Sequence, residues 1–354
     1  MMKIIRTDVK SLKDFELLKQ EWELLQEGND MTVFQSYDWN RLLFLELQNK
    51  MFGKFINKVV VYQVFDESEI TMILPLYIHT ISNKIKWIGK KRGLYLLGNG
   101  SYSDYLNAIY MVFDQNVFSA LLEQIHRDYP KLSLFMTDVR DDTNISMFLK
   151  RIYGVDNKII SVAIKKPESI ETYNNSLSKS TKQNLRTALN RMKKGNISYR
   201  YEIFGKTQDI ILLNSLKKIH IDRMEVKMKN NVDILHLISS KIRFYLKKQQ
   251  ELHNNIVFES MQVLDNSFLL VVYLNDNIAG YLYGLKDRNK VRIVQNCFDQ
   301  EYAFYSPLFR AAYDYIVTAF ECNSLDELDF TRGDEPYKYK LGGVETELSS
   351  FILF

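Results

Sequence analysis

The sequence predicts a mixed α/β protein made of two similar halves in tandem. Three observations carry that reading. Strand-like alternation and helix-like apolar spacing are interleaved along the whole chain. At 354 residues the chain exceeds one ordinary domain. The order of elements in the first half also recurs in the second.

In the first half, Phe15, Leu18, Trp22 and Leu25 recur every three or four residues and predict one apolar helix face. A second helix is expected in Phe34–Gln48, capped by Ser36 or Asp38. Alternation predicts strands at Lys58–Asp66 and Ile70–Thr80, joined by a polar turn at Glu67–Glu69. A third extended stretch, Lys84–Gly89, precedes a Gly-punctuated segment from Lys90 to Gly100. The segment Ser103–Tyr110, a helix at Val117–Tyr129 and a strand at Lys131–Val139 follow.

The second half opens with a basic helix, Ser176–Gly195, whose final glycine is expected to cap it. A strand at Ile197–Phe204 leads to a long helical region from about Gln208 to Leu252. Strands are expected at Phe268–Asn275, Ile278–Lys286 and Val291–Phe298, with hairpin chemistry at Asp276–Asn277 and Asp287–Lys290. A helix from Ser306 to about Phe320, the strand Glu327–Thr331, a short helix and a closing strand complete the chain. The stretch KKPESIE reads as a linker, so the expected domains are residues 1–165 and 166–354.

Composition narrows the function classes. With 47 basic and 43 acidic residues the charges nearly balance, which argues against nucleic-acid binding by the whole molecule. Cys297 and Cys322 are too few for a disulfide framework and point to a reducing, cytoplasmic setting. The five histidines are scattered, HExxH and CxxC are absent, and no metal is expected. The N-terminus becomes charged too early for a signal peptide, and no apolar run approaches the roughly 20 residues of a membrane span. A soluble protein, at most in peripheral contact with a membrane, is expected. Its Asn-, Lys- and Ile-rich composition is that of an AT-rich bacterial genome.

The run LDFTRGDEPYKYKLGG (Leu328–Gly343) resembles the C-terminal signature of the CelD/BcsL-type acetyltransferases, a GNAT group linked to polysaccharide biosynthesis. LSKSTKQNLRTALNRMKK is similar to the basic helix of that group, and FYSPLFRAAYDY to its Tyr-Ser-Pro helix start. EWELL, FQSYDW, LPLYI and SDYLNAI match its N-terminal half in kind and order, so the resemblance spans nearly the whole chain. The group is distantly related to the Fem-type aminoacyl transferases. The resemblance implies two GNAT-like domains in tandem and an acyl-CoA, such as acetyl-CoA, as co-substrate.

It also directs attention to particular residues. Ser306 and Pro307 open a helix where GNAT enzymes hold the CoA pyrophosphate, although the usual Gly-rich pattern is absent; free N–H groups and the helix dipole suit that task. Gln295 and Asn296 offer side-chain donors for a thioester carbonyl, and alternation sends one of them to the core. Tyr337, within the signature, stands where GNAT enzymes place the tyrosine that protonates the leaving thiolate; Tyr339 is its neighbour. Asp334 and Glu335 are candidate proton acceptors, or else cap the short helix or pair with Arg332 and Lys338. Arg332 is a candidate cofactor contact. Lys182 and Arg186, with Lys179, Arg191, Lys193 and Lys194, form either an anion-binding face or a solvated one backed by Leu185 and Leu189. Asp104 either faces an acceptor or caps a loop. Cys297 lacks an evident histidine neighbour and is a poor nucleophile candidate.

Three functions are weighed. The first is acyl transfer from acyl-CoA to an amine or hydroxyl of a sugar or envelope precursor. The second is a Fem-like aminoacyl-tRNA-dependent transfer, for which the Gln208–Leu252 region looks too short and lacks sustained heptads. The third is a non-catalytic glycan-binding module of a polysaccharide-synthesis complex.

Overall fold

The computed structural model describes residues 2–49, 57–79, 93–100, 103–230 and 256–354. The expected strand Lys84–Gly89, and the expected long helix beyond residue 230, lie outside the described residues. The chain forms two compact units, Met1–Ile160 with Thr346–Phe354, and Ser161–Glu345.

The first unit begins with a strand, β1 (Met2–Val9), then α1 (Leu12–Glu16), α2 (Lys19–Leu25) and α3 (Tyr37–Asn49). The apolar stripe Phe15, Leu18, Trp22, Leu25 is buried as expected, but across two short helices. Ser11 and Asp14 form a capping box that starts α1. Phe15 packs 5.5 Å from both Trp22 and Tyr37 and 5.2 Å from Phe44, ring centre to ring centre. The backbone N–H of Trp39 donates to Ser36 Oγ at 3.4 Å, so Ser36 serves the start of α3. The hairpin β2 (Asn57–Asp66) and β3 (Glu69–His79) turns at Glu67, whose φ is 54°. Then come β4 (Leu94–Leu96), β5 (Ile109–Tyr110), α4 (Gln115–Asp128), β6 (Leu134–Arg140), α5 (Asn144–Ile152) and β7 (Asn157–Lys165).

The second unit continues with α6 (Ile170–Ser176), α7 (Lys179–Lys194), β8 (Tyr199–Phe204), α8 (Ile210–Asn230) and α9 (256–263). The meander β9 (Ser267–Leu274), β10 (Asn277–Asp287) and β11 (Lys290–Phe298) follows. It leads to α10 (Pro307–Glu321), β12 (Glu327–Arg332), α11 (Pro336–Lys340) and β13 (Val344–Leu353). The β9–β10 turn falls at Asn275 and Asp276, with φ of 47° and 62°, the two left-handed residues a tight hairpin needs. On α10, Leu308, Ala311, Ala312, Tyr315, Ile316, Ala319 and Phe320 form the buried stripe that covers the sheet.

The strands of the two units repeat one pairing pattern. In the first unit the strand order is β1-β2-β3-β4-β6-β13, antiparallel throughout except for the parallel β4–β6 pair. In the second it is β8-β9-β10-β11-β12-β7, antiparallel except for the parallel β11–β12 pair. The last strand of the chain thus ends the first unit's strand order, and β7 ends the second's. The fold is mixed α/β with a duplicated sheet pattern, as the repeated element order predicts.

Candidate functional site

The parallel β11–β12 ladder is short. It pairs Lys290 with Glu327, Val291 with Leu328 and Arg292 with Asp329, and then stops. Beyond Arg292 this edge of β11 has no strand partner among the described residues, so the two strands part. A buried ion pair holds the point of divergence: Arg292 Nη1 lies 2.5 Å from Asp329 Oδ2, and its Nε donates to Asp287 Oδ2 at 2.7 Å. Immediately past it, Thr331 Oγ1 donates to the Ile293 carbonyl at 2.9 Å, and the Thr331 N–H donates to Asp329 Oδ1 at 2.8 Å.

On β11 past Arg292 the register against β10 slips by one residue. Tyr283 pairs with Gln295 but Gly284 pairs with Ile293, which leaves Val294 as a bulge. The bulge fixes which of the two amides faces inward. Gln295 is buried and accepts from the Tyr281 hydroxyl at 2.8 Å. Asn296 is exposed, and its Nδ2 donates to the Tyr337 hydroxyl oxygen at 3.0 Å. Tyr337 is half-buried on α11, with its ring edge-on to Phe330 at 5.5 Å. Burial, reinforced by the nearby Glu335 carboxylate, raises the Tyr337 phenol well above the usual tyrosine range, and the Asn296 hydrogen bond opposes this. The phenol is therefore neutral near pH 7. Because Asn296 donates to its oxygen, the phenolic hydrogen remains free for another acceptor.

The turn between β12 and α11 carries the other signature residues. Arg332, Asp334 and Glu335 are exposed there, and Glu335 Oε2 lies 2.9 Å from the Lys338 ammonium. Glu335 occupies the cap position of α11 without capping it through its side chain. Tyr339 is partly exposed and donates to Glu345 Oε1 at 2.7 Å.

Ser306 and Pro307 open α10 as expected, Pro307 in the first turn. A 3₁₀ turn, Gln300–Tyr305, precedes them and ends with Ser306 in the left-handed region at φ 49°. Arg191, near the end of α7, donates from Nη1 to the Phe304 carbonyl at 2.8 Å and lies 4.3 Å over the Phe304 ring. The basic helix is thereby fastened to the turn before α10. On its outer face Lys179, Lys182 and Arg186 form no ion pair with any described carboxylate, and Arg186 Nε donates to the Lys182 carbonyl. Leu185, Ala188 and Met192 are the buried side of this helix, and Gly195 caps it.

Gln295, Asn296, Ser306, Pro307, Arg332, Asp334, Glu335, Tyr337, Lys182 and Arg186 thus all belong to the second unit, and Asn296 and Tyr337 touch. Asp104 belongs to the first unit, where it is buried in the loop beside Ser103, the acceptor of the Trp39 indole N–H at 2.7 Å. Cys297 is buried, with Sγ 3.7 Å from the Ile219 carbonyl, and Cys322 is exposed. Among the described residues no group of three or more His, Cys, Asp or Glu is placed to hold a metal ion. None of the described helices is long and apolar enough to cross a membrane. Sequence reasoning treated Lys338 only as a surface partner for Asp334 or Glu335, and it passed over Arg292 and Asp329. The available signal was a charged residue at an inward position of an otherwise apolar strand.

Comparison with known proteins bears on this site. Residues 241–339 match the model of the acetyltransferase (GNAT) domain family. No curated protein matches the sequence. Among solved structures, a conserved protein of unknown function from Bacteroides thetaiotaomicron VPI-5482 aligns over 99% of this chain and 100% of its own, at 12% identity and a TM-score of 0.54. The C-terminal domain (DUF2156) of a proposed lysylphosphatidylglycerol synthetase from Agrobacterium fabrum aligns over 97% and 92%, at 8% identity and a TM-score of 0.52. A tandem GNAT protein from the clavulanic acid biosynthesis pathway aligns over 99% and 98%, at 12% identity and a TM-score of 0.47. Identities this low express a common fold for the first two and nothing finer. The matched segment contains the parted strands, the Asn296–Tyr337 contact and the start of α10, so these features lie in the part of the chain that is similar to the GNAT acetyltransferase domain family.

Proposed function

We propose that the protein transfers an acyl group, acetyl in the simplest case, from CoA to an amine or hydroxyl of a sugar or envelope precursor. The observation that carries this reading is the Asn296–Tyr337 hydrogen bond beside the stretch of β11 past Arg292, where the ladder with β12 has ended. A thioester lying along that stretch meets backbone groups able to bind its carbonyl, with the phenol of Tyr337 close by. The acceptor's lone pair attacks the carbonyl carbon and a tetrahedral adduct forms. As it collapses, the carbon–sulfur bond breaks and the thiolate takes the Tyr337 proton. Asn296 steadies the phenolate by donating to its oxygen. No covalent enzyme intermediate is needed, which agrees with the burial of Cys297.

Glu335 is engaged with Lys338, so Asp334 is the signature carboxylate left for the acceptor's proton. The α10 N-terminus receives the pyrophosphate of CoA, and Lys182 and Arg186 receive an anionic group of CoA or of the acceptor. The resemblance of Leu328–Gly343 to the polysaccharide-linked acetyltransferases supports a sugar acceptor and work in the cytoplasm, where acyl-CoA is supplied. The test is calorimetric titration with acetyl-CoA and longer acyl-CoAs, followed by thiol release in the presence of amino sugars. Saturable binding with acceptor-dependent thiol release supports the proposal. Absence of binding to every acyl-CoA sinks it, and aminoacyl-tRNA and glycans are then the ligands to titrate.

A further inference from the structure

A lysine with almost no exposure stands beside the candidate proton donor. Lys338 is 2% exposed. Its Nζ donates to the carbonyl oxygens of Arg332 at 2.8 Å, Gly333 at 3.1 Å and Thr331 at 3.3 Å, and lies 2.9 Å from Glu335 Oε2. An apolar side chain would fill this space without the desolvation cost of an ammonium, so the charge has a use that packing alone does not explain.

The four oxygens share a location. Three are consecutive carbonyls of the turn that leaves β12, and the fourth belongs to the residue that opens α11. In an extended strand successive carbonyls point to opposite sides, so three in a row meet one ammonium only where the backbone is bent. The bend is visible: Thr331 has φ 57° and Gly333 has φ 109°. For a β-branched residue the left-handed region is costly, and Lys338 supplies the bonds that hold it there. The other end of Lys338 is fastened as well, since its carbonyl accepts from the Gly343 N–H at 3.0 Å.

We infer that Lys338 is a positioning residue for acyl transfer: by tying the Thr331–Gly333 turn to α11, it sets where the Tyr337 hydroxyl stands against Asn296. The inference rests on the reading of Tyr337 as proton donor. Tyr337 is the preceding residue on the same short helix, and its ring leans on Phe330, one residue before the clamped turn. A turn free to relax moves the phenol relative to β11, while the α10 end of the site is untouched.

Lys338→Met keeps the chain length and removes the ammonium. It is read by kcat, by calorimetric affinity for acetyl-CoA, and by the 13C signal of Tyr337 in tyrosine-labelled protein, assigned by its loss in Tyr337→Phe. The expected result is a kcat lower by about tenfold or more, acetyl-CoA affinity within about threefold of wild type, and a Tyr337 signal displaced toward that of an exposed tyrosine. If Lys338→Met does not fold, Gly333→Ala attacks the same turn with the lysine intact. At that position φ is 109° and an added Cβ lies 2.7 Å from Glu335 Oε2. The same loss of kcat and the same displacement are expected. A folded variant with wild-type kcat, or one with reduced kcat and an unmoved Tyr337 signal, overturns the inference. Full turnover in Tyr337→Phe defeats the donor reading instead, and the Tyr337 signal in Lys338→Met still reports whether the lysine positions that ring.

Discussion

The side-chain amide of Asn296 donates to the hydroxyl oxygen of Tyr337 at 3.0 Å, joining the bulged part of β11 to the short helix α11. The contact leaves the phenolic hydrogen available and offers the oxygen a donor once that hydrogen departs.

Removing the amide should therefore affect chemistry more than binding. Asn296→Ala is expected to lower kcat by about tenfold, the scale of one hydrogen bond. It should also raise the Tyr337 pKa further, because the lost bond opposes the effect of burial. NMR titration of labelled tyrosine checks the direction, and a fall in the pKa would contradict this role.

The buried ion pair at the divergence of β11 and β12 should be asymmetric. Arg292→Met leaves Asp329 and Asp287 both without the guanidinium and is expected to cost about 3–5 kcal/mol of stability. Asp329→Asn should cost less, since Arg292 keeps its 2.7 Å contact with Asp287. Urea unfolding of the two variants gives the order, and equal costs would argue against a shared pair.

Ser306 opens α10 in the left-handed region at φ 49° without a side-chain cap. Glycine adopts that conformation without the Cβ penalty, so Ser306→Gly is expected to raise stability by about 1 kcal/mol. A destabilised variant would mean that the hydroxyl does more for the helix start than its geometry indicates.

Stability should decline above pH 10. Burial pushes Tyr283 and Tyr315 up to about 12, and raises Tyr173 and Tyr199 beyond the usual range. An unfolded tyrosine titrates near pH 10, so above that value the unfolded chain releases protons that the folded chain keeps. The stabilisation is complete below about pH 10 and is lost as pH rises toward the folded values. Urea midpoints measured from pH 8 upward should fall past pH 10; a rise would reverse the sign of the linkage.

Much of the second unit was legible because its signals are local. The meander strands are short apolar runs bounded by hairpin turn residues, Gly195 ends α7 where a C-cap is expected, and Pro307 marks the first turn of α10. Other features depend on distant partners. β1 has charged and exposed positions that blur its alternation, and α5 carries no strong start signal besides Thr143. That β13 pairs with β6 is decided by tertiary packing, and no local pattern announces it. The roles of Gln295 and Asn296 could not be separated because the bulge at Val294 decides which side chain turns inward. Lys338 was hidden for a different reason. Lysine belongs by default at the surface, and only the left-handed turn at Thr331 and Gly333 gathers carbonyls enough to bury it.

The measurement that bears most directly on the central claim is turnover and acetyl-CoA affinity of Tyr337→Phe beside wild type. The phenol's role as proton donor predicts a kcat lower by about 10²–10⁴ with acetyl-CoA affinity nearly unchanged. Wild-type kcat in this variant would contradict the assignment of Tyr337, and failure of the wild-type protein to bind acyl-CoA would contradict the transfer reaction itself.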